Sequence, residues 1–167
     1  MTPAEIAAEL ERLHPAGFAW ALACCRRDRE EALDVLQTSY LKVLDNKAKF
    51  AGRSSFKTFL FGVIRRTASE ARRRNALRRL FLGDWARLRG EPASEAPQPQ
   101  ERLALLAALA RLSRRQRHLL ELVFSMGMTV QEAAETLGIS VGSARVHYDR
   151  GKRQLARHLG AREPVHD

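Results

Sequence analysis

Few side chains in this sequence are spaced as a catalytic or metal-binding site would require. Glu11 and His14 lie three residues apart and could share a helical face, but no second pair completes a metal site. The five histidines are scattered, without zinc-ligand spacing. Cys24 and Cys25, the only cysteines, are adjacent, and disulfide geometry fits poorly across one peptide bond. We therefore expect no enzyme, metal or cofactor, and two reduced cysteines in the core; an enzyme built around Glu11 and His14 is the weakest alternative.

The charge of the chain favours an anionic partner. Its 29 Lys and Arg outnumber its 19 Asp and Glu, giving a net charge of +10, which attracts polyanions before any specific contact forms. Nine arginines lie between Arg65 and Arg89, opposed only by Glu70 and Asp84. Solvated helix faces usually interleave both signs, because like charges one turn apart repel. The pattern favours nucleic acid over a merely solvated face.

The elements that must position these charges are helices. Apolar residues recur at steps of three and four and nowhere alternate cleanly, which predicts an all-α protein without strands. Three of the six prolines fall between Gly83 and Gln100, which predicts a flexible linker at 83–100. Two small helical domains, 1–82 and 101–167, should flank it, with little means of packing against each other.

The first domain should hold two main helices. The first, at about 30–44, should bury Leu33, Leu36, Tyr40, Val43 and Leu44. Beside that face lies a stripe of Asp34, Gln37, Thr38 and Leu41. Ser54 or Ser55 should cap a second helix at about 56–80. Its buried side should comprise Phe56, Leu60, Val63, Ile64, Thr67 and Ala71.

The second domain carries the pattern of a helix-turn-helix. Ser113 with Gln116 and Thr129 with Glu132 fit the capping box. Gly138 can end the short helix that Thr129 begins, and Ser140 can cap the next one. That helix should bury Val141, Ala144, Tyr148, Gly151 and Leu155. Its outer side offers groups for base edges and phosphates, namely Ser143, Arg145, His147, Arg150, Lys152 and Arg153.

Three segments in this order resemble the extracytoplasmic-function (ECF) sigma factors of the sigma-70 family. They are EEALDVLQTSYLKVL, FAGRSSFKTFLFGVIRR and LARLSRRQRHLLELVFSMGMTVQEAAETLGISVGSARVHYDRGKRQL. The resemblance implies a sigma-two domain at 1–82 and a sigma-four domain at 101–167. It also implies a function, which is to direct core RNA polymerase to specific promoters and to aid promoter opening.

The same resemblance implies three sets of binding residues. The D-V-L-Q motif implies that Asp34 and Gln37, with Thr38 and Leu41 beside them, dock on the clamp helices of the largest polymerase subunit. Minus-ten contacts are implied for Lys47, Lys49, Phe50, Arg53, Ser54, Ser55, Phe59, Arg65, Arg66 and Arg73. The outer residues of the last helix are implied to read the minus-thirty-five element. Phe59, Arg66 and Glu70 stand where the family usually has tryptophan, asparagine and aspartate, and Ser113 replaces a common proline.

The resemblance also implies binding partners, and the sequence itself suggests a cellular location. The resemblance implies promoter DNA, core polymerase including its flap region, and an anti-sigma factor, often membrane-bound; no small-molecule substrate is expected. The N-terminus has acidic residues where a secretory signal would be positive, and the longest apolar stretches fall short of the roughly 18 residues that span a bilayer. We therefore expect a cytoplasmic protein. The main alternative is a helix-turn-helix regulator that never engages polymerase.

Overall fold

The computed structural model describes residues 1–82 and 100–160, with side chains described for 1–76 and 103–160. This part of the chain is helical and contains no strand, which confirms the all-α prediction. Its helices are α1 (Pro3–Arg12), α2 (His14–Cys24), α3 (Arg29–Leu44), α4 (Phe56–Leu82), α5 (Gln100–Ala110), α6 (Arg114–Leu120), a π-helical turn (Glu121–Ser125), α7 (Val130–Leu137) and α8 (Val141–His158). Residues 83–99 of the predicted linker lie outside the described residues.

Helices α2, α3 and α4 form the core of the first domain. Trp20 is fully buried there, and its indole N–H donates to the carbonyl of Phe61 at 3.0 Å. The predicted buried side of α4 is confirmed for every residue, from Phe56 to Ala71. Of the two serines proposed as its cap, Ser55 acts, because its hydroxyl accepts from the backbone N–H of Thr58 at 3.1 Å.

The predicted buried face of α3 is partly wrong. Leu36 and Val43 are buried and Tyr40 is half-buried, but Leu33 is 39% exposed and Leu44 52% exposed. The helix instead turns its smaller residues inward: Ala32, Val35 and Ser39 are buried. Small side chains at this position let α3 lie close to α2 and α4, and the two larger leucines are turned outward as a result.

The local signals of the second domain are confirmed. Ser113 and Thr129 each complete a capping box, with Gln116 and Glu132 respectively. Gly138 ends α7 in the left-handed region at φ 62°, and the Ser140 hydroxyl accepts from the Ser143 N–H at 3.2 Å to start α8. Helices α7 and α8 pack together as a helix-turn-helix. On α8, Ala144 and Gly151 are buried, while Val141, Tyr148 and Leu155 are half-buried.

The two domains pack against each other, contrary to the expectation that they would not. Helix α7 lies against α4. Leu119, Leu122 and Ala133 of the second domain belong to the same buried cluster as Trp20 and Phe61 of the first. The prediction failed because it assigned α4 one buried side, whereas the helix has a second apolar side that the second domain covers.

Candidate polymerase and nucleic-acid interfaces

Helix α3 presents a mixed polar and apolar surface. Asp34 and Gln37 are exposed, Leu41 is 59% exposed, and Thr38 is half-buried. Leu33 and Leu44, which the periodicity assigned to the core, lie on this surface instead. Their spacing could have revealed this, because Leu33, Gln37, Leu41 and Leu44 follow one another at steps of four, four and three on a helix. We call Leu33, Asp34, Gln37, Leu41 and Leu44 the α3 face.

The loop before α4 carries exposed cations and contributes one ring to an aromatic cluster. Phe50, Phe56 and Phe59 pack with ring centroids 5.3 to 5.9 Å apart. Phe56 is buried, whereas Phe50 and Phe59 are half-buried. The cations nearby in the sequence, Lys47, Lys49 and Arg53, are exposed; Ser54 is half-buried and Ser55, the cap of α4, is exposed. Of the residues expected at the minus-ten element, Phe50 and Phe59 are thus brought together at the start of α4.

The arginines of α4 do not share one environment. Arg66 and Arg73 are exposed. Arg65 is half-buried, and its Nε donates to the carbonyl of Thr136 in α7 at 3.0 Å. Burial, with the charge of Arg66 adding to it, lowers the pKa of Arg65. Of the expected minus-ten residues, Arg65 is thus the one with a described hydrogen bond to the second domain. Elsewhere on α4, the carboxylate of Glu70 accepts from Lys42 at 2.6 Å, and this hydrogen bond lowers the pKa of Glu70.

Helix α8 presents the outer side that the sequence predicted. Five of its six candidate residues are exposed and His147 is half-buried. The exposed ones are Ser143, Arg145, Arg150, Lys152 and Arg153. Lys152 lies over the ring of Tyr148, with Nζ 4.7 Å from its centroid, and Phe124 stacks on the same ring at 5.9 Å. The N-terminal half of α8 is open on its outer side, because Ser143 and Arg145 are exposed there.

Buried polar groups at the domain boundary escaped the sequence analysis. His118 is 3% exposed and meets Trp20 edge-on, with ring centroids 5.1 Å apart. Burial, with nearby arginines, lowers its pKa to about 4. Glu121 is also buried; its Oε1 accepts from Arg27 at 2.8 Å, while its Oε2 has no hydrogen-bond partner, and burial raises its pKa. Their place among Leu119, Leu120 and Leu122 was the only signal that they would be buried.

Within residues 1–82 and 100–160, no three His, Cys, Asp or Glu side chains group closely enough to hold a metal ion. No helix in the same part of the chain is long and apolar enough to cross a membrane. Cys24 and Cys25 are buried and unbridged, as predicted. Burial raises the pKa of both thiols, that of Cys25 to about 12.

Comparison with known proteins connects these surfaces to a family. Residues 10–78 match the family model of sigma-70 region 2, and residues 102–155 match sigma-70 region 4. The ECF RNA polymerase sigma factor SigX of Bacillus subtilis is 31% identical over 141 residues, covering 80% of this chain and 73% of SigX. The ECF RNA polymerase sigma factor SigF of Caulobacter vibrioides is 32% identical over 127 residues, covering 75% of this chain and 69% of SigF.

A solved structure has the same fold. The sigma factor RpoE of Bartonella quintana, in its complex with the anti-sigma factor NepR, matches with a TM-score of 0.73 and 23% identity. The match covers 93% of this chain and 97% of that one. The two curated relatives and the paired region 2 and region 4 domains disfavour a regulator that never engages polymerase. The chain belongs to the ECF sigma factors, which direct RNA polymerase to promoters.

Proposed function

We propose that this sigma factor engages core polymerase and the two promoter elements through three separate surfaces. The α3 face docks on the clamp helices of the largest polymerase subunit. The loop at 46–55 and the start of α4 contact the minus-ten element, and the outer side of α8 reads the minus-thirty-five element. On this proposal, 1–82 acts as the sigma-two domain and 101–167 as the sigma-four domain, with 83–100 as the linker and the flap region of polymerase as a further contact of sigma-four.

The exposure of leucines on α3 supports the docking surface most directly. Leu33, Leu41 and Leu44 are between 39% and 59% exposed along one helix. Single exposed leucines are common, but a row of them beside Asp34 and Gln37 is typical of a surface that a partner covers. An apolar row that includes Gln37 and borders Asp34 suits a helical partner such as the clamp helices, because leucines supply area and the polar groups fix the register.

The minus-ten proposal rests on the groups collected at the start of α4. Melting a promoter requires a surface that stacks on or receives an unpaired base and neutralises the displaced strand. The half-buried Phe50 and Phe59 offer ring surface, and Lys47, Lys49 and Arg53 offer exposed charge. Ser54, Ser55, Arg65, Arg66 and Arg73 complete the set that we propose.

The minus-thirty-five proposal rests on the outer side of α8. A recognition helix reads bases mainly with side chains near its N-terminus, where Ser143, Arg145 and His147 lie. We assign Arg145 and His147 to sequence-dependent contacts, and Arg150, Lys152 and Arg153 to phosphates.

An anti-sigma factor is the further partner that we propose. RpoE of Bartonella quintana was solved with its anti-sigma factor NepR, and the α3 face offers an apolar row on which an amphipathic helix could lie. Such an inhibitor would exclude core polymerase from this chain, and we propose that it acts in the cytoplasm, either free or anchored to the membrane.

The docking proposal can be tested with a double variant, Asp34→Ala with Gln37→Ala. Alanine favours the helix, so α3 should remain intact. Loss of two interfacial hydrogen-bonding groups, at about 1 kcal/mol each, should weaken binding to core polymerase about tenfold or more. Run-off transcription at limiting sigma factor should fall in parallel. Glu11→Ala, which removes an exposed carboxylate from α1, is the control and should change neither measurement. Unchanged affinity of the double variant for core would contradict the assignment.

A further inference from the structure

We propose that a cavity between the two domains binds a small anion that carries two or more phosphate groups. Residues of α4 and of the second domain line this space, which we call the boundary cavity. It shares Arg65 with the proposed minus-ten set. Its other two arginines, Arg114 and Arg115, lie outside all three surfaces proposed for polymerase and promoter. The site therefore adds a small-molecule ligand to the macromolecular partners proposed above.

The boundary cavity is large enough for an organic ligand. Its volume is about 480 Å³, within the range of roughly 300–1,000 Å³ that is typical of small-molecule sites. Helix α4 contributes Arg65 and Ser69, and α6 contributes two arginines and His118. The end of α7 adds an apolar wall formed by Leu137 and Ile139. A cavity of this size can hold a molecule larger than a single phosphate ion.

The lining of the boundary cavity carries charge of one sign. It contains three arginines, and no Asp or Glu is among the described residues that line it. Burial, with the positive charge of Arg66, lowers the pKa of Arg65, so the cation is disfavoured at that position. His118 adds no opposing charge, because burial, with the charges of nearby arginines, lowers its pKa to about 4. An anion in the cavity would offset this repulsion.

Two guanidinium groups converge on the hydroxyl of Ser69. Nη2 of Arg72 donates to this hydroxyl at 2.9 Å, and Nη2 of Arg114, from the other domain, donates to it at 3.3 Å. Hydrogen bonds from a guanidinium to an anionic oxygen are roughly twice as strong as those between neutral groups. A phosphate oxygen beside Ser69 would therefore give a stronger acceptor to cations that already point to the same place.

Arg65 is held with further donors beside the cavity. Its Nε donates to the Thr136 carbonyl at 3.0 Å, which fixes the guanidinium plane. Its Nη2 lies 3.4 Å from the position that a Cβ on Gly138 would take, so the glycine leaves room for this group at the end of α7. Within the described part of the chain, the Nη groups of Arg65 make no hydrogen bond. They can bind a ligand oxygen at little cost in entropy, because the guanidinium is already positioned.

The chemistry of the lining favours a polyphosphate over a carboxylate or a single phosphate. A guanidinium fork matches phosphate oxygens in geometry. One phosphate group carries a charge of about −1.5 to −2 at neutral pH, which is less than the charge of three arginines, so a second phosphate group is needed to balance them. The apolar wall at Leu137 and Ile139 can accept the sugar or base of a nucleotide. Inorganic polyphosphate and a nucleoside triphosphate share this chemistry, and both are probes for the site.

Isothermal titration calorimetry of the full chain tests the boundary cavity, at an ionic strength of about 0.15 M to screen exposed charges. Tripolyphosphate and ATP should each bind one to one, at least about tenfold more tightly than orthophosphate. Arg115→Gln should weaken this binding about tenfold or more, because a charge-assisted hydrogen bond is lost. Arg74→Gln is the matched control, because it removes one exposed arginine of α4 that lies outside the cavity lining. It should leave both affinities within about twofold of wild type.

No binding of either probe to wild type, or equal losses in Arg115→Gln and Arg74→Gln, would overturn the proposal. Orthophosphate that binds as tightly as tripolyphosphate would also overturn it. Displacement of tripolyphosphate by a scrambled DNA duplex, with the same dependence on Arg115, would assign these arginines to DNA phosphates instead. Tighter binding of ATP than of tripolyphosphate would support a nucleotide ligand, and equal affinities would support an inorganic polyphosphate.

The variants should keep the fold, since glutamine also favours a helix and the Arg115 side chain makes no hydrogen bond to the first domain within the described part of the chain. Far-ultraviolet circular dichroism checks this expectation. If Arg115→Gln loses helicity, Arg114→Gln replaces it under the same criteria. The titrations need no polymerase, so their failure is distinct from failure of the proposed function, which run-off transcription measures.

Discussion

His118 should make the stability of this protein depend on pH. Its ring is buried against Trp20, and this burial, with the positive charges of Arg117, Arg72 and Arg65, lowers its pKa from 6.5 to about 4. The unfolded chain takes up a proton on this histidine near pH 6.5, whereas the folded chain does so only near pH 4. Between these values the unfolded state binds more protons, and the free energy of unfolding must fall as the pH falls.

The magnitude follows from the two pKa values. With 6.5 in the unfolded state and about 4 in the folded state, linkage removes about 2 kcal/mol of stability between pH 7 and pH 5. The ring is almost fully buried, so solvent screening reduces this figure little. Glu121 acts in the opposite direction, because its pKa is raised and its protonated form favours the folded state at low pH. A comparison at a single position is needed to separate the two groups.

The variant His118→Gln supplies that comparison, because glutamine can still donate to the backbone of Ala23, which His118 contacts, and does not titrate. Urea unfolding of wild type and variant at pH 7 and pH 5 gives four free energies. The difference between the proteins should shift by about 2 kcal/mol in favour of the variant at pH 5. Parallel pH dependence in the two proteins would refute the argument that His118 is held neutral by burial.

Two pairs of substitutions test α8 and the turn before it. Arg145→Ala should weaken binding to a minus-thirty-five duplex by about 1–3 kcal/mol more than binding to a scrambled duplex, as measured by fluorescence anisotropy. Lys152→Ala should weaken binding to both duplexes alike. Equal losses of affinity for the two duplexes in Arg145→Ala would contradict base reading. Gly138→Ala should lower the free energy of urea unfolding by about 1–2 kcal/mol, because φ is 62° there. Gly142→Ala is the control, because a Cβ added there would point into open space, and it should not lower the free energy of unfolding. Equal losses of stability in the two variants would contradict the role of the left-handed turn.

The features that the sequence predicted well are local ones. A capping box is read from residues three apart, so Thr129 and Glu132 could be recognised without knowing what α7 packs against. Gly138 then limits the length of α7, and Ser140 sets the start of α8. The whole helix-turn-helix follows from these short-range rules, which is why its bounds and its outer side agree with the structure.

The failures come from contacts between elements distant in sequence. Leu33 and Leu44 look like core residues because periodicity shows that a side of a helix is apolar, but not whether the chain or another protein covers it. Gly62 has the converse problem, since the Thr136 backbone that covers it lies more than 60 residues away in α7. Arg65 could be recognised as part of a basic helix, but its attachment to Thr136 depends on the orientation of two domains, which no sequence pattern records.

The packing of two basic domains against each other can be explained by cations of α4 that bind the carbonyl ends of helices in the second domain. Helix α7 carries no basic residue in its last turn, although the carbonyl end of a helix favours a cation. Arg65 of the first domain supplies that charge at Thr136, and Lys57 does the same at Met126, where the π-helical turn ends. Two cations of α4 thus bind carbonyl ends that the second domain leaves without a cation of its own, which offsets the repulsion between the domains.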